Sequence, residues 1–456
     1  MTTTTPTQHD YCVPIETTRA DHAPLRAVAA RGPWITVADG RRLLDFHSQY
    51  MCVGVGHSHP RVVAALHAAV DDVDYVSEVM AFDTRAEAAR LLTQETVGDG
   101  RPWGSCRFVS SGSEAVEMAV LIARTVTQRP RIVVAQSSYH GWTSSGAAAT
   151  SLPHMRNLFK DSRTGVYHSV PTDQPPFVAA PTPHPQARPA EIDECLRQTE
   201  RLIRAVGVDQ VAAFMVEIYK GAGGHLVPDE YVRGIRELTQ RLGILWIDDE
   251  AIAGAGRTGA WWAYQHAGVE PDLLITAKGI SSSAVPTGAV LISPEITERI
   301  EHGVWYSVST NSGHPLAMAA VRATIETVRD EHVLDNVAKL GAHIETRLNE
   351  MVDRHPTVAF ASGRGFGWGI ELCRTDGSPV VPFDRWYTPS VDPEPEFDPA
   401  RFLAERCLTR DVLLYTFIPN TLTIAPPLVS TREEVDLGLD ALDEALFELD
   451  AHEGVR

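Results

Sequence analysis

Between about residues 61 and 330, short runs of apolar residues alternate with longer stretches in which apolar positions recur every three or four residues. The runs are CRFV (106–109), RIVVAQ (131–136), AAFMVE (212–217), ILWID (244–248), LLITA (273–277) and GAVLIS (288–293). They are short, mostly apolar throughout and often β-branched, as strands buried on both faces are. Between them lie helical patterns. SEAVEMAVLIART (113–125) follows the first run. PDEYVRGIRELTQRLG (228–243) opens on Pro228 with an acidic first turn and stops at Gly243, and Val232, Ile235, Leu238 and Leu242 fall on one face. This alternation predicts an α/β fold with a mostly parallel sheet covered by helices on both sides.

The flanking regions read differently. Residues 1–60 form an arm plus a short β segment, WITVADGRRLLDF (34–46), that belongs with part of a smaller domain. Residues 61–330 make the large domain. Residues 331–456 make a smaller α+β domain, with a helix near 331–353 and a strand near 368–373. Two proline-rich stretches, 171–189 and 376–399, are expected to be surface loops, because their composition is too polar and too proline-rich for core elements. No internal repeat is present.

Composition narrows the function. A chain of 456 residues with 44% hydrophobic and 22% charged positions has the make-up of an ordinary globular protein. A formal net charge of −19 argues against nucleic acid and anionic membrane as partners, since such surfaces require clustered Lys and Arg. The six cysteines are far apart and form no CxxC pair, and the 18 histidines show no ligand spacing, so neither a disulfide framework nor a metal site is expected. His57 and His59 in GHSH stand at i, i+2, the spacing of a metal pair, but no further ligand joins them. The start, MTTTTPTQHD, lacks an apolar leader core, and no apolar run approaches the ~18 residues of a membrane span, so the expected location is cytoplasmic.

Three stretches carry chemistry. WIDDEAIAGAGRTG (246–259) begins as a buried strand and ends in Asp248, Asp249 and Glu250. A buried carboxylate costs several kcal/mol unless a cation or donors meet it. VSSGSEAVEMAV (109–120) is a strand, a Ser/Gly turn and a helix start. The unpaired N–H groups there, with Gly112 allowing close approach, suit a phosphate, although an ordinary N-cap looks the same. TAKGISSS (276–283) puts Lys278 directly after a buried strand. A desolvated lysine makes a good imine-forming amine, while taken alone the residue reads rather as a surface lysine. An aldehyde cofactor on Lys278 would require a carboxylate beside its pyridine nitrogen. Asp249, at the carboxyl end of a central strand, is placed for that role, and strand alternation turns Asp248 and Glu250 elsewhere.

Taken together these motifs resemble the class III (subgroup II, ω-type) pyridoxal-phosphate-dependent aminotransferases. The resemblance runs from GVGHSHPRVVAAL (54–66) to LTIAPPLVSTREEVD (422–436). It rests on SGSEA (111–115), YHG (139–141), E-x-x-x-G-x-G-G (217–224), D-E-x-x-x-G-x-G-R-T-G (249–259), AKG (277–279) and STNSGHP (309–315), in that order. The look is nearest to the taurine, ω-amino-acid and amine branch. It implies fold type I and pyridoxal 5′-phosphate as cofactor. It implies transfer of an amino group from an amine or ω-amino acid to an oxo acid such as pyruvate or 2-oxoglutarate, with a homodimer sharing its active sites. Carried over position by position, Lys278 binds the cofactor and moves the proton, and Asp249 partners the pyridine nitrogen. Gly112 and Ser113 cradle the phosphate, Tyr139 stacks on the ring with His140 beside it, Glu217 lines the substrate side, and Thr310 reaches the neighbouring subunit's cofactor phosphate.

Some positions depart from the family. Ala251 stands where valine usually packs on the ring, Ile252 where many members have glutamine, and Ala255 where phenylalanine is common. In SGRGFGWGIEL (362–372) the carboxylate-binding arginine position holds Ser362, with Arg364 two residues on. Three readings stand: Arg364 takes over the carboxylate, another basic residue from outside this motif does, or the pocket serves an amine without a carboxylate beside the nitrogen. An isomerase or decarboxylating relative on the same Lys278–Asp249 machinery is the alternative activity.

Overall fold

The computed structural model describes residues 25–152, 177–303, 305–382 and 397–456. The first strands, β1 (Ala27–Arg31), β2 (Trp34–Val37) and β3 (Arg42–Asp45), form an antiparallel meander. The large sheet has seven strands. In chain order they are β4 (Ser105–Val109), β5 (Arg131–Ala135), β6 (Phe177–Ala180), β7 (Val211–Val216), β10 (Leu245–Asp249), β11 (Leu273–Ala277) and β12 (Gly288–Ile292). A small hairpin, β8 (Tyr219–Lys220) and β9 (His225–Leu226), leaves the end of β7. The spatial order is β4-β12-β11-β10-β7-β5-β6, with β12 antiparallel to both neighbours and the other pairings parallel. The six apolar runs are all strands of this sheet. Their continuous burial is explained by two apolar clusters, one on each face.

The helices follow from their patterns. Gly112–Thr127 begins with a capping exchange in which Ser111 Oγ accepts from Glu114 N while Glu114 accepts from Ser110 N. Asp229–Leu242 starts one residue after Pro228 and stops where Gly243 turns left-handed at φ 62°. Residues 333–354 form the helix expected near 331–353.

The proline-rich stretch 171–189 differs from the expectation of a loop. Its residues 177–180 form β6, an edge strand parallel to β5 with Phe177 and Ala180 buried, and the prolines fall on either side of it. Of the stretch 376–399, residues 383–396 lie outside the described residues.

A third apolar cluster joins Leu44, Phe46 and Val62 to residues from 320 to 455. It contains β13 (Val358–Arg364), β14 (Gly367–Leu372) and β16 (Thr421–Ile424), while β15 (Val412–Leu413) pairs with β3. No helix among the described residues is long and apolar enough to cross a membrane.

Candidate active site

The parallel register of the sheet brings the chemistry-bearing strand ends together. Asp249 closes β10 opposite Ile275, and Lys278 follows the last residue of the adjacent β11. Lys278 has a left-handed backbone, φ 44°, and opens a short 3₁₀ turn. A non-glycine residue held there is a strained one, as residues at functional sites often are. Gly112, at the head of its helix, faces the same place: a side-chain carbon there would meet Ala277 and Ala251. The N–H groups of Gly112 and Ser113 have no acceptor within their own helix. The floor below is made of small residues, which leaves a cradle for a planar ring with a phosphate at the helix start.

Asp249 is buried and fixed from two sides. Its Oδ2 lies 2.7 Å from His140 Nδ1, and its Oδ1 accepts from Ala251 N at 3.2 Å. A carboxylate facing an imidazole nitrogen at this distance is met by N–H, so the proton sits on Nδ1 of His140. His140 is itself held by Thr150 Oγ1, which accepts from its backbone N–H, and its Nε2 has no partner among the described residues. Tyr139 donates its backbone N–H to Glu217 Oε2 at 2.7 Å. Burial raises the Tyr139 phenol, and the Glu217 carboxylate adds to the rise. Glu217 also accepts from Gly221 N. Burial pushes its carboxyl up to about 7, a rise that nearby Asp249 adds to and His140 opposes. Gly141, at φ 98°, lies so close against Ser113 that any side chain there would strike its hydroxyl. That contact ties the YHG turn to the head of the Gly112 helix.

The departing positions are filled in particular ways. Ile252 packs its terminal methyl over Gly221, and Ala255, left-handed at φ 55°, lies against Gly279 next to Lys278. Ser362 Oγ accepts from Leu226 N in the β8–β9 hairpin. Arg364 is clasped by Asp229 through two hydrogen bonds of 3.2 and 3.0 Å. Thr310 lies on an exposed segment, and its carbonyl accepts from the Tyr75 hydroxyl. His57 pairs with Asp45 at 2.9 Å.

The comparisons fit this geometry. Residues 16–446 match the family described as Aminotransferase class-III. The chain belongs to the class III aminotransferases. The solved structure of an S-selective transaminase from an Arthrobacter species, with alanine bound, is 34% identical at a TM-score of 0.90, covering 98% of each chain. The taurine:2-oxoglutarate aminotransferase of Bifidobacterium kashiwanohense, solved with PLP and glutamate, is 26% identical at a TM-score of 0.88, covering 98% of this chain and 97% of that one. An alanine/serine racemase of Pyrococcus horikoshii is 28% identical, over 93% of this chain and 86% of its own length. This class III aminotransferase is a pyridoxal-phosphate-dependent transaminase of fold type I.

Sequence reasoning missed one wall of this aminotransferase's site. Ser48, Gln49, Tyr50 and Met51 all have positive φ and form a left-handed turn with no glycine in it. The turn and His47 lie against a tyrosine and phenylalanine cluster: Tyr50 stacks on Tyr415 at 5.0 Å, and His47 sits 5.5 and 5.6 Å from Tyr415 and Phe417. Burial, opposed by Asp45 and helped by the charges of Arg257 and Lys278, lowers His47 to about 3, which puts His47 beside the lysine. Nothing in DFHSQYM signals a left-handed turn.

Proposed function

We propose that this transaminase takes its amino group from a primary amine or ω-amino acid that has no carboxylate next to the reacting nitrogen. It hands the group to an oxo acid such as pyruvate or 2-oxoglutarate. The observation that carries the donor choice is Arg364. Its guanidinium fork is already satisfied by Asp229, and Ser362 offers a single neutral hydroxyl that serves Leu226 N. The acceptor choice is supported by the two solved relatives, one holding alanine and one glutamate, the amino products of those two oxo acids.

The residues present fit the cofactor. Bound there, pyridoxal phosphate supplies an aldehyde to take up the amine and a ring to accept the electron pair left when a C–H bond breaks. Lys278 would hold the cofactor through its side-chain amine, and the same amine is placed to carry the proton that the donor carbon gives up. Asp249, aimed by His140 and the Ala251 N–H, would meet the ring nitrogen and hold a proton there. Gly112 and Ser113 hold the phosphate with backbone and hydroxyl donors, Tyr139 covers a ring face, and Glu217 braces Tyr139.

The same reading makes the enzyme a homodimer in which Thr310 reaches the partner's phosphate. Two segments tied together by the Tyr75–Thr310 bond carry Val79 and Tyr306, each 84% exposed, with Met80 and Val308 beside them. So much apolar surface in one place marks a contact face. Thr310→Ala is expected to weaken cofactor binding by about 1.5–3 kcal/mol, the range for a hydrogen bond to a charged group.

The deciding experiment mixes the cofactor-loaded protein with single donors and follows the absorbance of the lysine-bound cofactor. Primary amines should discharge it at least about ten times faster than α-amino acids, and pyruvate or 2-oxoglutarate should restore it. Faster discharge by α-amino acids would overturn the donor assignment, and turnover without any oxo acid would favour racemisation.

A further inference from the structure

Strand β10 runs into three consecutive buried acids, and the preceding argument uses only Asp249. Asp248 aligns with Leu274 of β11 and Val216 of β7, so it emerges on the sheet face opposite Asp249. Glu250 continues the ladder, its N–H bonding Ile275 O at 2.9 Å, and returns to the face of Asp248. Both side chains are fully buried.

Their partners are unequal. Glu250 accepts from Ala263 N at 2.6 Å and from Tyr264 N at 2.9 Å. Neither oxygen of Asp248 receives a donor from the described residues. The acidic groups facing the pair are each other, Asp249 across the strand and the Tyr264 phenol. Asp248 and Glu250 stand two residues apart on one face of the strand, so their carboxyl groups are neighbours. Two ionised carboxylates can only accept, so a hydrogen bond between them forms when one of them carries a proton. The two backbone donors favour the anion on Glu250, and Asp248 has nothing to favour its own. Burial and the neighbouring Glu250 hold the Asp248 carboxyl well above the usual range.

We infer that Asp248 is a positioning residue of the cofactor site: as a neutral acid it donates a hydrogen bond to Glu250 on the far face of the sheet, fastening the residues on both sides of Asp249. The inference rests on Asp249 as the partner of the ring nitrogen. With its neighbours anchored behind the sheet, Asp249 keeps its carboxylate turned to His140 and the cofactor. An amide can replace the donor; a methyl group cannot.

The test combines infrared spectroscopy with cofactor release. Wild-type protein with isotopically labelled aspartate, apo and loaded, should show the C=O band of an un-ionised carboxyl group at pH 8, and Asp248→Asn should lose it. Asp248→Asn should release pyridoxal phosphate within about twofold of the wild-type rate. Asp248→Ala should release it about tenfold faster, the effect of one lost hydrogen bond to a charged group. Absence of the band in the folded wild type overturns the inference, and so does Asn releasing cofactor as fast as Ala. Asp249→Asn separates the two readings. If it leaves cofactor affinity unchanged while the band is present, the assignment of Asp249 fails and the proton on Asp248 stands.

Discussion

Around Asp249 the polar side chains are fixed but leave something open. His140 and Ala251 aim the carboxylate, yet among the described residues His140 Nε2 has no partner, and Gly112 faces the small residues Ala251 and Ala277. Around Ser362 and Arg364 the polar groups are equally well matched, but the protein closes them on itself through Leu226 N and Asp229. The first region is preorganised for a ligand that brings its own charge. The second is stabilised without one. A site can keep its reaction machinery while giving up ionic selection of the substrate, because different strands carry the two parts: β10 and β11 the former, β13 the latter.

Four measurements would break or sharpen this contrast. Lys278→Ala should abolish turnover: the loss of acid–base catalysis alone is worth about 10²–10⁴ in rate, and loss of the covalent attachment adds to it. Near-normal kcat would sink the role of the β11 end. Asp249→Asn should fold normally and lose about two orders of magnitude in kcat, with weaker cofactor retention; activity within a few-fold of wild type would move the ring partner to another acid. The loss is placed at the level of one preorganised charged group in a buried site.

Glu217→Gln tests the electrostatics of the same half in the apo-protein. The Glu217 carboxyl is raised in the folded state, to about 7. A raised acid favours the fold in its protonated form, so its contribution is fully present below its unfolded value and is lost as pH rises towards 7. The unfolding temperature of wild type relative to Glu217→Gln should therefore fall by roughly a few degrees between pH 5 and pH 7.5. A constant difference would show that the shift is absent. Arg364→Ala should have the smallest effect. Its pair with Asp229 is partly exposed, with side chains 33% and 23% accessible, so stability should drop by about 1 kcal/mol or less. The KM for the oxo acid should stay within about threefold. A tenfold rise would mean that the guanidinium leaves Asp229 for substrate, and the contrast between the two halves would collapse.

Much of this was legible in the sequence, for reasons that can be named. Asp249 and Lys278 could be placed because strands buried on both faces announce their ends, and ligands of α/β sheets gather at carboxyl ends. The helix stop at Gly243 was readable because a left-handed residue favours glycine. The turn Ser48–Met51 was not, since its four left-handed residues are ordinary ones held by packing against Tyr415 and Phe417, more than 350 positions away. Strand β6 was hidden because proline marks breaks, and an edge strand tolerates breaks on both sides. The fate of Arg364 depended on Asp229, a residue on another element that no local pattern connects to it.

The antiparallel placement of β12 has a consequence for how the site is assembled in time. Ala277 pairs with Gly288 across residues 278–287 alone, whereas β12 meets β4 on its other side through Val109 and Gly288. Closing a loop costs more entropy as it lengthens, and local contacts form ahead of distant ones. The ribbon that carries Lys278 is therefore expected to close early in folding, and pulse-labelled hydrogen exchange should protect amides in 273–277 and 288–292 before those in 105–109. Protection of β4 first would contradict this order. Lys278 would then be in place at the tip of a formed ribbon before the strand that leads into the Gly112 helix docks beside it.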